Sequence, residues 1–146
     1  MERIVYDEDK NITPPASETN GGSWFSRMWL ARNPTTTLDY PVGPQPKIRG
    51  WLDTDSRLGE VRSLKQFLPL GWAGRDDDIE LRNKEKVGKL HGINAVEVAG
   101  SWSSALLASG IRKDELNRWL KETRADILDM RLKSYTAIDY FCAVAK

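Results

Sequence analysis

The sequence has little cysteine and little histidine, with one of each in 146 residues. The single cysteine, Cys142, excludes an intrachain disulfide. It lies in the apolar run from Tyr140 to Ala145, which predicts a buried small hydrophobic side chain and not a reactive thiol. The single histidine, His91, has no cysteine or second histidine nearby in sequence to complete a zinc site. We therefore predict no bound metal and no cofactor.

An excess of charge of one sign and long hydrophobic runs are missing as well. The 22 Lys and Arg residues are balanced by 21 Asp and Glu residues, so no overall field attracts nucleic acid, membranes or an acidic partner. No apolar run approaches the roughly 20 residues that span a bilayer. The acidic N-terminus carries no signal-peptide stretch. We expect an intracellular protein, cytoplasmic or within a host cell or virion, that is not secreted and has no transmembrane segment.

Catalytic motifs are also missing. No serine stands in a G-x-S-x-G elbow or an S-x-x-K motif, and Gly88-Lys89 lacks the rest of a phosphate-binding loop. The acidic groups Asp53-x-Asp55 and Asp76–Asp78 lack the glycine and the distant glutamate of a calcium loop, so helix capping is the simpler interpretation. Asp126 and Asp129 are predicted to lie on a solvated helix face. We predict that the chain is not an enzyme.

Proline is nearly absent after the first third of the chain. Six of the seven prolines fall within residues 1–46, and the remaining 100 residues hold only Pro69. Because proline lacks a backbone N–H and fixes its own backbone, residues 1–46 are predicted to form an extended, proline-rich N-terminal arm. Residues 47–146 permit helices and are predicted to form a small, mainly α domain with one or two short strands.

Apolar spacing and turn residues divide residues 47–90 into predicted elements. Lys47–Leu52 alternates as a short strand. Arg57–Leu68 shows the three- and four-residue apolar spacing of a helix that Pro69 ends. Asp76–Asp78 are predicted to cap a helix over Ile79–Leu90, which Gly92 ends.

The remainder of the domain is predicted from the same signals. Ile93–Ala99 fits either a short strand or a turn of helix. Trp102–Ser109 is predicted to be a helix, followed by Gly110 in the left-handed conformation that ends many helices. From Ile111 to Lys146 there is no glycine or proline, which predicts one long helix or two helices with a break between them.

The arm contains one apolar patch, made of Trp24, Phe25, Met28 and Trp29. Phe25, Met28 and Trp29 have the spacing of one face of a short helix, with Ser23 as its N-cap. Two interpretations stay open: the patch folds back onto the helical domain, or it anchors another chain. The stretch from Pro34 to Pro46 would then act as a stiff spacer.

Residues 104–124 resemble a helix-turn-helix motif, with Gly110 at the turn. The second helix would present Arg112, Lys113 and Asn117 to bases and Arg118, Lys121 and Arg124 to phosphates. Leu106 stands where such motifs usually have a small residue, and neighbouring carboxylates dilute the positive charge. A plain corner between two helices has the same apolar spacing, and we prefer that interpretation.

The leading hypothesis is a non-enzymatic assembly or interaction protein whose arm docks on a neighbouring subunit, most simply in a homo-oligomer. Its partner-binding residues would be Trp24, Phe25, Met28 and Trp29. Small viral or phage structural and matrix proteins have this layout, so a role in virion assembly is included in the hypothesis. The alternative is a DNA-binding regulator that uses residues 104–124.

Overall fold

The structure, a computed structural model, describes residues 5–32, 45–75 and 83–146. These ranges form a mixed α/β fold, so the prediction of a mainly α domain is wrong. The helices and strands, in chain order, are β1 (Val5–Tyr6), α1 (Trp24–Arg32), α2 (Gln45–Thr54), β2 (Leu58–Leu70), α3 (Lys84–Ser101), α4 (Ser103–Ala108), α5 (Lys113–Leu128) and β3 (Ser134–Ala145). The strands form an antiparallel sheet in the order β1-β3-β2.

Strands β2 and β3 form a long two-stranded ribbon that reaches about 40 Å at roughly 3.3 Å per residue. The register joins Leu70 to Ser134 at one end and Leu58 to Ala145 at the other, with a bulge between Leu58 and Val61. The helix predicted over Arg57–Leu68 is therefore wrong. Apolar residues three positions apart lie on opposite faces of a strand. The segment therefore lacks the alternation of apolar and polar residues by which strands are recognised in a sequence.

The prediction of one or two helices from Ile111 to Lys146 is correct only for the part that forms α5. The chain turns after Leu128 through Met130, which has a positive φ of 53°, and continues as β3. Aromatic and β-branched residues are frequent in β3, and these types favour pleated structure. The helical period in this part of the sequence was a coincidence of the apolar positions.

The segment before β2 was also predicted wrongly, because Lys47–Leu52 lies in helix α2 and not in a strand. Pro46 falls in the first turn of this helix, where a missing N–H costs nothing. The extended structure predicted up to residue 46 is thus incorrect for residues 45–46, and residues 33–44 lie outside the described part of the chain.

Helix α3 runs through Gly88 and continues past Gly92, the residue that was predicted to end the helix. The backbone N–H of Gly71 donates to the carbonyl of Gly88 at 2.9 Å, and a Cβ at Gly88 would overlap the carbonyl oxygen of Trp72. These glycines therefore let α3 lie directly against the loop after β2. Residues 93–99 are helical, whereas the predicted cap at residues 76–78 lies outside the described residues.

One hydrophobic core joins α1, α3, α4 and α5. Its buried residues are Val5, Phe25, Met28, Trp29, Leu70, Ala95, Ala99, Trp102, Leu106, Leu116, Trp119 and Ile127. A second cluster, made of Tyr6, Trp72, Tyr135 and Ala137 with Phe67 packed against it, lies on the sheet. The segment before residue 33 thus supplies large side chains to the same core as the C-terminal helices.

Candidate functional site

The predicted partner-binding patch lies on α1, and the structure packs it against its own chain. Phe25, Met28 and Trp29 are buried, and Trp24 is half-buried against Trp119 with ring centres 6.5 Å apart. The predicted N-cap is confirmed, because the hydroxyl of Ser23 accepts a hydrogen bond from the N–H of Ser26 at 3.2 Å. Binding of another chain by this patch stays a prediction.

Asp126 is buried, with 5% of its surface exposed, so the predicted solvated face is wrong at this position. Its carboxylate accepts hydrogen bonds from the backbone N–H of Trp24 at 3.2 Å and from Nε of Arg131 at 2.9 Å. Burial raises the pKa of Asp126, and the hydrogen bond from Arg131 opposes that rise. The arrangement holds two helices together and offers no open position for a substrate.

His91 belongs to α3, and its side chain points towards the sheet. Its Nδ1 is 3.2 Å from the carbonyl oxygen of Pro69, and its Nε2 is 3.3 Å from the hydroxyl of Thr136. Burial lowers the pKa of His91. Across residues 5–32, 45–75 and 83–146, no group of three His, Cys, Asp or Glu side chains is arranged to hold a metal ion.

A cleft of about 620 Å³ opens between α3, the end of α5 and the loop after β2. Trp72, Ile93, Leu128 and Met130 form much of its apolar wall. The charged residues that line it are Glu85, Lys89 and Arg124. The described lining thus holds a single carboxylate and no serine, cysteine or histidine, so it lacks both paired carboxylates and a hydroxyl, thiol or imidazole nucleophile.

The six residues of the DNA-binding alternative lie on or beside α5, and all of them are exposed. Arg112 forms an ion pair with Asp114 at 2.8 Å, and Arg118 forms one with Glu18 at 3.3 Å. Lys113, Asn117, Lys121 and Arg124 complete the set. The ion pairs reduce the positive charge that this face offers to phosphates, and DNA binding stays a prediction.

The half of the β2–β3 ribbon far from the core has one covered and one uncovered face. We call residues 58–65 and 139–145 the distal half. Helix α2 packs on one face, where Val61 is buried and Nη1 of Arg49 donates to the hydroxyl of Ser63 at 3.4 Å. The opposite face carries four apolar side chains, those of Leu64, Tyr140, Cys142 and Val144.

We call these four residues the bare face, since their side chains are exposed. The exposed fractions are 56% for Leu64, 48% for Tyr140 and 68% for Val144. Leu64 and Tyr140 stand directly opposite each other in the register. Cys142 is exposed too, so the prediction of a buried thiol is wrong.

Within the distal half, the charged residues on the uncovered side belong to β2. Arg62 stands opposite Cys142 in the register, and its guanidinium forms an ion pair with Glu60 at 2.9 Å. The two charges therefore neutralise each other at the border of the bare face. The β3 side of the bare face is uncharged.

The outer edge of β3 is unpaired in the described ranges from Tyr140 to Ala145. Strand β1 pairs with β3 only through Val5–Thr136 and Tyr6–Tyr135, and no other described strand lies along that edge. From Tyr140 to Ala145 the edge has no charged residue, glycine or proline. Proteins usually protect such edges with charge, proline or a bulge.

Comparison with known proteins gave no match: no family model, no curated protein and no solved structure matches the chain. Among the helices of the described part, none combines the length and the apolar character needed to cross a membrane.

The sequence analysis does not predict the bare face, because it places the run from Tyr140 to Ala145 in a helix. Its signal was nevertheless present as six uncharged residues that include aromatic and β-branched side chains.

Proposed function

We propose that this chain is a non-enzymatic assembly protein that associates with copies of itself through the distal half of the β2–β3 ribbon. The observation that carries the proposal is the bare face, an apolar sheet surface whose other side is already covered by α2. Contiguous apolar surface of this kind is typical of interaction sites.

The assembly role agrees with the hypothesis from the sequence, but the proposed contact surface is different. Phe25, Met28 and Trp29 are buried in the core of their own chain, so presenting them to a partner would open that core. The exposed side chains of the bare face need no rearrangement to be covered. Complete burial of an aliphatic or aromatic side chain of this size stabilises a contact by about 1.5–3 kcal/mol.

A second copy is the partner that this surface fits best. A two-fold axis places the same patch on both sides of an interface, so the patch must be able to contact an identical patch without repulsion. The β3 side of the bare face is uncharged, and Arg62 at its border is already paired with Glu60. Like-charge repulsion is therefore small when the patch meets its own image. Exposed apolar residues elsewhere include Ile12 and Leu107, which lie on separate parts of the fold, and Ile93 and Met130, which line the cleft beside α3.

The test is sedimentation velocity over a series of protein concentrations. We expect the wild-type chain to shift from monomer to a larger, closed species as the concentration rises. Leu64→Lys should shift that transition to higher concentration, because it places a charge directly beside Tyr140, its partner in the register. Leu107→Lys is the matched control, since Leu107 is a similarly exposed leucine on α4. A wild-type chain that stays monomeric at every concentration would overturn the proposal.

A further inference from the structure

We infer that two copies pair edge to edge through β3, antiparallel, about a two-fold axis that passes beside Cys142, so that the two sheets join into one. This inference rests on the proposed self-association and specifies its geometry. From Tyr140 to Ala145, the outer edge of β3 has backbone N–H and C=O groups that no strand in the described residues satisfies. Adding a strand is the direct way to satisfy them.

The uncharged composition of this edge favours pairing with β3 of a second copy over pairing with a charged strand. Between Tyr140 and Ala145 all six residues are uncharged. Directly opposed like charges destabilise a strand pair, and this segment has none to oppose. Antiparallel pairing of identical strands also forms a closed pair, which stops growth at two copies for this edge.

Symmetry limits the possible registers to a few. In an antiparallel pair, directly opposed residues lie on the same face of the sheet. A two-fold axis perpendicular to the sheet must therefore place one residue opposite its own copy. Within the uncharged edge, the central candidates for that residue are Phe141, Cys142 and Ala143.

The register centred on Cys142 agrees best with the structure. A centre at Phe141 would bring the second copy's Ala145 opposite Ala137, which is fully buried and next to the residue that pairs with β1. A centre at Ala143 would place Tyr140 opposite the charged Lys146 and shorten the paired segment.

A centre at Cys142 keeps the paired segment clear of Ala137 and moves Lys146 away from Tyr140 to the end of the segment, opposite Ile138. It places Tyr140 opposite the second copy's Val144, and symmetry repeats this pair on the other side of the axis. Aromatic and β-branched residues form favourable cross-strand pairs.

This register also brings the two bare faces side by side, so that Tyr140 and Val144 of each copy partly cover each other along the joined edge. Tyr140, Cys142 and Val144 of both copies would form one continuous apolar strip across the joined sheet. On the other face Phe141 would stand opposite the second copy's Ala143, a large residue against a small one. Both faces are therefore sterically reasonable without a change in the backbone of the ribbon.

A charge-swap experiment tests this register. Tyr140→Glu and Val144→Lys, each alone, should weaken self-association at least about tenfold, because each dimer would contain two unpaired charges opposite apolar residues. In an equal mixture, the introduced glutamate of one variant meets the introduced lysine of the other, and the remaining pair is the native tyrosine and valine. We expect the mixture to form heterodimers with an affinity within about threefold of the wild type.

A matched control and an independent measurement complete the test. Leu107→Glu alone should associate like the wild type, since Leu107 lies on α4. Mixed with Val144→Lys, it should form heterodimers more weakly than the charge-swapped pair does, because the introduced lysine still faces a native tyrosine. In a sample that mixes isotope-labelled and unlabelled copies, we expect intermolecular nuclear Overhauser effects between the ring of Tyr140 and the methyl groups of Val144. Within one chain these residues are about 13 Å apart along the strand, too far for such a signal.

The outcomes separate this inference from the proposed function. If the wild-type chain is monomeric, the proposed function fails. If the wild-type chain dimerises but the charge-swapped mixture does not recover, or the Tyr140–Val144 signal is missing, the edge-to-edge register is wrong while self-association stands. Open-ended fibres in place of closed dimers would also overturn the two-fold pairing.

Discussion

The carboxylate of Asp126 in α5 accepts a hydrogen bond from the backbone N–H of Trp24, the first residue of α1, at 3.2 Å. A helix N-terminus leaves several N–H groups without partners, and Asp126 satisfies one of them. The two residues are 102 positions apart in the chain. This contact therefore fixes the beginning of α1 against α5 and joins the N-terminal segment to the core.

Replacement of Asp126 by asparagine keeps the size of the side chain but removes its charge. We expect Asp126→Asn to lower the free energy of unfolding by about 1–3 kcal/mol, because Arg131 and the N-terminus of α1 both lose a charged acceptor. Urea unfolding followed by tryptophan fluorescence measures the change. Asp129→Asn, on an exposed position of the same region, should stay within about 0.5 kcal/mol of the wild type. Equal effects of the two variants would contradict this role of Asp126.

The pH dependence of stability should report on His91. Its pKa is lowered from the ordinary value of 6.5 by burial, so the unfolded chain takes up the proton at a higher pH than the folded chain. The contribution of neutral His91 to the free energy of unfolding is therefore fully present above pH 6.5. It is lost as the pH falls towards the pKa of the folded state.

The measurement for His91 is the difference in unfolding free energy between about pH 7 and about pH 5. We expect this difference to be larger in the wild type than in His91→Gln, which cannot take up a proton. Other groups titrate in both proteins, and the comparison removes their contribution. A wild type and variant with parallel pH profiles would show that His91 is not coupled to unfolding.

Local signals in the sequence predicted the features that depend on neighbouring residues. The cap at Ser23 and the one-sided spacing of Phe25, Met28 and Trp29 predicted α1. Gly110 has the positive φ of 95° expected for the residue after a helix. These features need only interactions within a few residues, which the sequence displays directly.

The sheet could not be predicted in the same way, because its strands pair residues that are far apart in the chain. Val61, Leu64 and Phe67 have a helical spacing, and only pairing with β3 determines that they alternate between two faces. The bare face depends on the same information. The run from Tyr140 to Ala145 is apolar in the sequence, but Tyr140, Cys142 and Val144 are exposed because α2 covers only one side of the ribbon.

The two glycines Gly88 and Gly100 in α3 should respond in opposite directions to alanine. A Cβ at Gly88 would overlap the carbonyl oxygen of Trp72, which belongs to the backbone and cannot rotate away. We expect Gly88→Ala to lower the free energy of unfolding by at least about 2 kcal/mol. Gly100 has no atom within 4 Å of the added Cβ, so Gly100→Ala should raise stability by about 0.5–1 kcal/mol. Thermal unfolding of both variants measures the contrast, and a stabilising Gly88→Ala would show that α3 does not lie so close to this loop.

Phe25 tests whether the segment before residue 33 belongs to the core. Its ring lies 5.4 Å from the ring of Trp102 in the buried cluster. We expect Phe25→Ala to lower the free energy of unfolding by about 3–5 kcal/mol, the usual cost of removing a buried aromatic ring. Trp51→Ala removes a larger ring that is 63% exposed on α2, so it should cost less than about 1 kcal/mol. If Phe25→Ala leaves stability unchanged, α1 does not pack on its own chain in solution, and its aromatic face is then free to bind a partner.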